Sequence, residues 1–521
     1  MLKKIKKVFE RRKPLEGNKI VINCSDLETR VALLEDGSLE EYSVEREGDV
    51  NIVGSIFKGR VKNIEQGLKA SFVDIGFEKN AFLHFWDAIP AAIDGGIEEI
   101  RKSKKKEKRI TSKDIPKIYP VGSEVLVQVT KGAIGTKGPR ITTNISLAGR
   151  FLVLMPLNDQ FGISRKIEDP KERARLRQVM EKLSVPEGMG VIMRTVCQGQ
   201  RARYFVRDLA MLVAQWDQIE ENRESKRAPM CCFEEPDLIE RTVRDFLTEE
   251  VGEVICDDAD TVDRMKKLVS GVSRRARNRV TYFERPEPVF NYYGVESQIR
   301  EAFLPQVWLK CGGYLVIDET EAMIAVDVNT GRNKGSKNVD KMILETNIEA
   351  AREVARQLRL RNIGGLIVVD FIDMRNRRDQ QAVYRAIREP LRKDRAKTQV
   401  LPISQLGLLE MTRQRLNESL TDSFTESCAY CQGRGIIRTT ETMSIELQRR
   451  IDEVMTRAGE RTKELVIVVH PDVMNRLRTK DDKLLMQLER KHAARFTFRS
   501  DPSYHREQVL LSDAKTGDEM K

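Results

Sequence analysis

At 521 residues the chain has room for roughly three to five domains. Its 91 Lys and Arg against 80 Asp and Glu leave a net +11, a mild excess that speaks for an acidic partner only where the charge is clustered. No apolar stretch approaches the roughly 20 residues of a membrane span, and the eight cysteines show no disulfide framework, so a reducing, cytoplasmic setting is expected.

Met1 to Lys13 is basic and lacks an apolar h-region, which argues against a secretory signal. It reads either as a basic helix lying on a membrane surface or as a solvated terminus. Residues 18–35 alternate apolar and polar side chains and predict a hairpin turning near Asp26. Short strands with corner glycines follow at 54–61, 68–76, 80–83 and 122–129, the pattern of a small closed barrel. The lysine-rich run 101–109 reads as a solvated loop inserted in it. Strand patterns recur at 151–155 and 190–195, and 236–270 reads as helical. From 287 to about 415 strands and helices alternate, the signature of an α/β layer. Its helix at 341–360 puts Leu344, Ile348, Ala351, Ala355 and Leu358 on one face. A strand at 365–371, a helix near 378–393, a strand near 398–403 and a last helix near 406–418 follow. Residues 440–521 form a separate small α/β segment with a strand at 464–469.

The chemistry concentrates in two segments, Ala325-Val326-Asp327-Val328-Asn329 and Val368-Val369-Asp370-Phe371-Ile372-Asp373, each an apolar run that ends in a carboxylate. A charge at the end of a hydrophobic strand is costly unless something binds it. Two such aspartates at adjacent strand ends can hold one hard divalent cation, with Mg²⁺ the usual guest, or each can cap the turn or helix that follows. Asn329 lies two residues beyond Asp327, on the same side of a strand, and can orient it by a hydrogen bond. Asp373 reads as a turn residue.

In the barrel, Phe72 and Phe82 near Lys58, Arg60, Lys62 and Lys137 are either a stacking platform for single-stranded nucleic acid or core. Arg194 and Thr195 at a strand end suit a terminal phosphate, or are ordinary surface groups. Cys428 and Cys431, spaced Cys-x-x-Cys with glycines following, suit half of a tetrahedral zinc site. No second pair lies nearby, so the site is shared between two chains or carries no metal. Only four histidines occur, three of them in the last segment, which disfavours a histidine acid–base pair and favours metal-activated water as nucleophile.

Taken together these segments resemble the ribonuclease E/G family. The motifs are Phe-Val-Asp-Ile-Gly at 72–76, Ile-Ser-Leu-Ala-Gly at 145–149, Pro-Glu-Gly-Met-Gly at 186–190, Arg-Gln-Leu-Arg-Leu-Arg at 356–361, Gly-Gly-Leu-Ile-Val-Val-Asp-Phe-Ile-Asp-Met at 364–374 and Gly-Leu-Leu-Glu-Met-Thr-Arg-Gln-Arg at 407–415. The resemblance runs from about residue 18 to about 510 and favours the shorter, ribonuclease G branch, since the chain stops soon after the small domain.

The resemblance implies a multidomain α/β plus all-β fold: an OB-fold RNA-binding barrel inserted in an RNase H-like domain, then a DNase I-like α/β catalytic domain, a zinc-link and a small α/β domain. The expected boundaries are a basic tail at 1–17, the first RNase H-like part at 18–45, the barrel at 46–143 and a 5′-phosphate sensor region at 144–225. The helical RNase H-like part follows at 226–290, the catalytic domain at 291–420, the zinc-link at 421–439 and the dimerisation domain at 440–521. The implied activity is Mg²⁺-dependent endonucleolytic cleavage of single-stranded RNA, preferring 5′-monophosphorylated ends and giving 5′-phosphate and 3′-hydroxyl products, in rRNA processing and mRNA decay. By resemblance Asp327 and Asp370 hold one Mg²⁺, Asn329 supports them, and Phe72, Phe82 and Lys137 hold RNA. Gly149, Val153, Arg194, Thr195 and Lys397 form the 5′-phosphate pocket, with Lys397 where the family often has an arginine; lysine cannot make the same planar, bidentate contact. Cys428 and Cys431 share Zn²⁺ with a second chain in a homodimer or homotetramer. The competing expectation is a non-catalytic RNA-binding or assembly protein whose aspartates are structural caps.

Overall fold

The computed structural model describes residues 17–48, 52–89, 97–101, 111–133, 137–247, 250–270, 274–332, 339–415, 418–459 and 462–520. The basic N-terminal tail and nearly all of the lysine-rich run 101–109 lie outside the described residues. The chain divides into two units, Met1–Ser423 and Phe424–Lys521.

The first unit begins with an antiparallel meander of Asn18–Cys24, Glu28–Glu35 and Ser38–Arg46, as the alternation predicts, with its first turn at 25–27. The segment 236–270 is not continuously helical. Helices Leu238–Asp245 and Ala259–Ser270 flank a strand, Val251–Cys256, that pairs in parallel with Asn18–Cys24. Val254, Ile255 and Cys256 are all buried, so this strand is stabilised by a sheet neighbour distant in sequence rather than by a helical stripe.

Five strands close into a barrel: Ile56–Glu65, Ala70–Asp74, Ala81–His84, Arg140–Thr142 and Glu124–Lys131, the last returning to pair with the first. Val61, Val73, Ala81, Leu83, Val127 and Ile141 fill it. Gly59 is required there, because a Cβ would lie 2.5 Å from Val73 Cγ1. Just before the lysine-rich run, Ile97–Arg101 pairs with Phe161–Ser164 in a separate sheet with Leu147–Ala148, Leu152–Met155 and Gly190–Met193. Helix Ala202–Ser225 covers that sheet through Phe205, Leu209, Leu212 and Trp216.

The last sheet of this unit has the order Gln306–Trp308, Tyr314–Glu319, Ile324–Asn329, Gly365–Asp370, Leu408–Arg413, Thr398–Val400. Helices Val339–Leu360 and Arg377–Leu391 pack on one face; Ala351, Ala355 and Leu358 are fully buried, and Leu344 and Ile348 pack at the edge of that core. The helix expected near 406–418 is a strand. Leu409, Met411 and Arg413 point into the core while Glu410 and Thr412 face out, a period of two that only a strand satisfies.

The second unit packs helix Thr440–Ala458 against a three-stranded sheet in which Glu464–Val469 runs parallel to Arg495–Ser500 and antiparallel to Val509–Asp513.

Candidate functional site

Strands Ile324–Asn329 and Gly365–Asp370 are parallel neighbours, and their register pairs Asp327 directly with Asp370. Alternation decides where the carboxylates point. Val326, Val328, Ile367 and Val369 are buried under the helices, so Asp327 and Asp370 must face the other, open side, where both are exposed. Asn329 shares that face and its Nδ2 donates to Asp327 Oδ2 at 2.7 Å. Neither aspartate caps a helix: helix Arg377–Leu391 is capped by Asn376, whose side chain accepts from the Arg378 N–H. Two exposed carboxylates on adjacent strands are oxygen donors of the type a hard divalent cation takes, and the open face leaves room for its waters.

The turn after Asp370 is pinned from below. Asn347, fully buried in helix Val339–Leu360, donates to the Ile372 carbonyl at 2.8 Å and accepts from the Ile372 N–H at 3.1 Å. Beyond it Asp373 lines a cavity of about 170 Å³ with Phe371, Ile372, Met374, Ile403 and Leu406. Arg375 on this turn, and Arg377 and Arg378 at the start of the helix that follows, are exposed. Asn347 carries no local signal in the sequence, whereas the arginines at 375, 377 and 378 stand out there as a run.

On the barrel, Phe72 and Phe82 are cross-strand partners whose rings meet edge to face at 5.8 Å. Both are half-buried on the outer face while Val73, Ala81 and Leu83 fill the interior, so neither is core. Phe82 donates its N–H to the Pro139 carbonyl at 2.7 Å, and Lys137, two residues before Pro139, is exposed. A Cβ at Gly138 would lie 2.1 Å from the Asn80 oxygen, so glycine is needed for this approach. Lys58 is committed elsewhere: its ammonium donates to the Arg223 and Lys226 carbonyls and pairs with Glu124 at 2.9 Å. Arg60 pairs with Glu124 and Lys62 with Asp74.

Gly149, Val153 and Arg194 meet where Leu152–Met155 and Gly190–Met193 pair, with Val153 opposite Ile192. Arg194 donates to the Gly149 carbonyl at 2.6 Å and to Asp245 at 2.9 Å. Thr195, next in the chain, is exposed. Two carboxylates that the sequence reading did not single out organise the region. Asp208 accepts the N–H groups of Arg150, Phe151 and Leu152 at 3.2, 2.8 and 2.8 Å. Gly149 permits this, since a Cβ there would lie 2.6 Å from Asp208 Oδ2. Burial raises the Asp208 carboxyl above its ordinary value despite these donors. Asp245 faces Arg194, Arg244 and Arg395 at 2.9, 3.1 and 3.9 Å. Burial pushes it up, but the three guanidiniums outweigh burial and hold it below the usual carboxylate range. Arg395 also covers the Phe246 ring at 3.6 Å, and Lys397, two residues on, is exposed.

Cys428 and Cys431 sit on a turn that folds N–H groups toward sulfur. Gly435 N–H donates to Cys431 Sγ at 3.3 Å, and Gly433 and Gly435 take positive φ of 79° and 69°. Backbone N–H groups of Cys431 and Tyr430 lower the Cys428 thiol below its ordinary value. The donor set fits half of a tetrahedral thiolate site. No helix among the described residues is long and apolar enough to cross a membrane.

A family model described as the Ribonuclease E/G family matches residues 146–416, and one described as RNase E/G, Thioredoxin-like domain matches 427–514. The chain is 37% identical over 489 residues to ribonuclease G of Escherichia coli (strain K12), covering 94% of this chain and 98% of the relative. It is 35% identical over 495 residues to ribonuclease G of Haemophilus influenzae, covering 95% and 99%. Against ribonuclease E of Haemophilus influenzae it is 37% identical over 478 residues, covering 91% of this chain and 50% of the relative. With the Asp327–Asp370 face and the Phe72–Phe82 barrel surface carried on matching segments, the chain belongs to the ribonuclease E/G family.

Proposed function

We propose that the protein is a Mg²⁺-dependent endoribonuclease that cuts single-stranded RNA and leaves 5′-phosphate and 3′-hydroxyl ends, acting in rRNA processing and mRNA decay. The register pairing of Asp327 with Asp370 on an open sheet face carries the reading. These two carboxylates would hold Mg²⁺, and Asn329 fixes the rotamer of Asp327. When bound, the ion supplies an activated water for in-line attack and neutralises charge developing on the phosphate. Arg375, Arg377 and Arg378 offer guanidiniums to the RNA backbone next to Asp370. Phe72 and Phe82 would stack bases, with Lys137 on a phosphate.

The Gly149–Arg194 link supports a 5′-phosphate site at Gly149, Val153, Arg194, Thr195 and Lys397. An incoming phosphate would compete with Asp245 for Arg194, and Lys397 would contribute a point charge rather than a bidentate fork. Parallel pairing of Asn18–Cys24 with Val251–Cys256 beside the meander supports the RNase H-like reading of that sheet. One helix-covered face supports the DNase I-like reading of the sheet carrying Asp327 and Asp370. The Cys428–Cys431 turn supports a Zn²⁺ shared with a second chain, hence a homodimer or a homotetramer of paired dimers. The test is a circular single-stranded RNA, which offers no end to an exonuclease. Mg²⁺-dependent linearisation supports the proposal; binding without any cleavage would replace it with a scaffold role.

A further inference from the structure

We infer a second thiolate metal site, away from the RNA-facing surfaces, in which Cys24, Cys256 and Asp257 hold one tetrahedral divalent ion of the zinc type. The ligand atoms of these three residues all lie within 4.8 Å of one another, and no other such group of three exists among the described residues. They converge at the carboxyl ends of two parallel strands, Asn18–Cys24 and Val251–Cys256, where open sheets place ligands.

The sulfur spacing suits a shared metal ion. Cys24 Sγ and Cys256 Sγ are 3.9 Å apart. Two Zn–S bonds of about 2.3 Å at a tetrahedral angle put sulfurs about 3.8 Å apart. The strand register pairs Cys256 with Ile22, so Cys24 is its diagonal neighbour.

The carboxylate is held ready. Asp257 Oδ1 accepts the Cys24 N–H at 2.8 Å, and Oδ2 accepts Asn23 Nδ2 at 2.6 Å. Asn23 is fixed in turn by Arg30, whose Nε and Nη2 donate to its Oδ1 at 2.9 and 2.6 Å. Such second contacts orient metal ligands, and each carboxylate oxygen keeps a lone pair for the ion. Asp258 N–H donates to Cys256 Sγ at 3.4 Å, a contact that stabilises a thiolate. Two sulfurs and one oxygen leave a fourth position for water, and Cys24 is the partly exposed side from which it enters. Binding releases the two thiol protons to solvent. The ion ties together residues 232 apart in sequence, fastening the N-terminal hairpin to the strand at 251–256.

Co²⁺ and Zn²⁺ titrations of the full-length chain test this in a Cys428→Ser/Cys431→Ser background, which removes the other thiolate pair. The expected result is one equivalent of Co²⁺ with thiolate charge-transfer and tetrahedral d–d absorption, displaced by Zn²⁺. Cys24→Ser, which leaves one thiolate, sharply weakens the charge-transfer band, and Asp257→Asn, which spares both sulfurs, weakens Co²⁺ binding at least about tenfold. Absence of thiolate–Co²⁺ absorption in the folded background protein, a spectrum unchanged by Cys24→Ser, or a Cys24–Cys256 disulfide in protein purified under reduction would each overturn the site.

Discussion

Asp327 and Asp370 are direct register partners on parallel strands, and Asn329 donates to Asp327 from the next outward-facing position. The backbone ladder therefore sets the spacing of the two carboxylates, while the open face leaves them to solvent. Replacing either by Asn should lower cleavage by on the order of 10³-fold. RNA affinity and melting temperature should barely change, because both side chains are exposed. Asn329→Ala, which frees Asp327 without removing it, should cost about 10–100-fold. Single-turnover rates with matched binding curves separate the two effects.

Phe72 and Phe82 touch each other and face outward. Each Phe→Ala change should weaken binding of a short single-stranded RNA by about 1–3 kcal/mol, roughly 5–150-fold in Kd. The double variant should cost less than the sum, since each ring supports the other. Lys137→Ala should reduce the salt dependence of binding by about one phosphate contact.

Asp245 gives the 5′-pocket region a pH dependence of definite sign. Its folded-state value lies below that of the unfolded chain because three arginines surround it. Its contribution to stability is therefore present above about pH 4 and lost as the pH falls through the folded value. Melting temperature against pH should show a shallower acid decline for Asp245→Asn than for the parent, with lower stability at neutral pH. Asp208, whose carboxyl is raised by burial, has the opposite sign: its burial is best tolerated at acid pH and opposes folding increasingly as pH rises through the folded value.

Arg413 and Asp394 form a buried pair at 2.7 Å with both side chains almost wholly enclosed. Arg413→Met alone strands the Asp394 charge and should destabilise the first unit by about 3–5 kcal/mol. Arg413→Met combined with Asp394→Leu should recover part of that loss, measured by denaturant unfolding.

The apolar-run-to-aspartate pattern made Asp327 and Asp370 legible in the sequence, and strand periodicity made Asn329 legible with them. Phe72 and Phe82 were legible as a pair but not as core or surface; the position of each in its strand decides that. The strand at 408–413 was misread because Leu408, Leu409 and Met411 mimic a helical stripe, whereas only Leu409, Met411 and Arg413 turn inward. Val251–Cys256 was missed because Gly252 and Glu253 interrupt its apolar run and its partner strand lies far back in the chain. Asp208, Asp245 and Asn347 act on residues brought near only by folding, so no local spacing announces them.

The most direct measurement is Mg²⁺-dependent cleavage of an end-labelled single-stranded RNA by the parent chain and Asp370→Asn in parallel, with binding measured for both. Internal cuts by the parent and none by the variant at equal affinity are the predicted result. Cleavage by Asp370→Asn at the parent rate would contradict the assignment of the Asp327–Asp370 face as the catalytic centre.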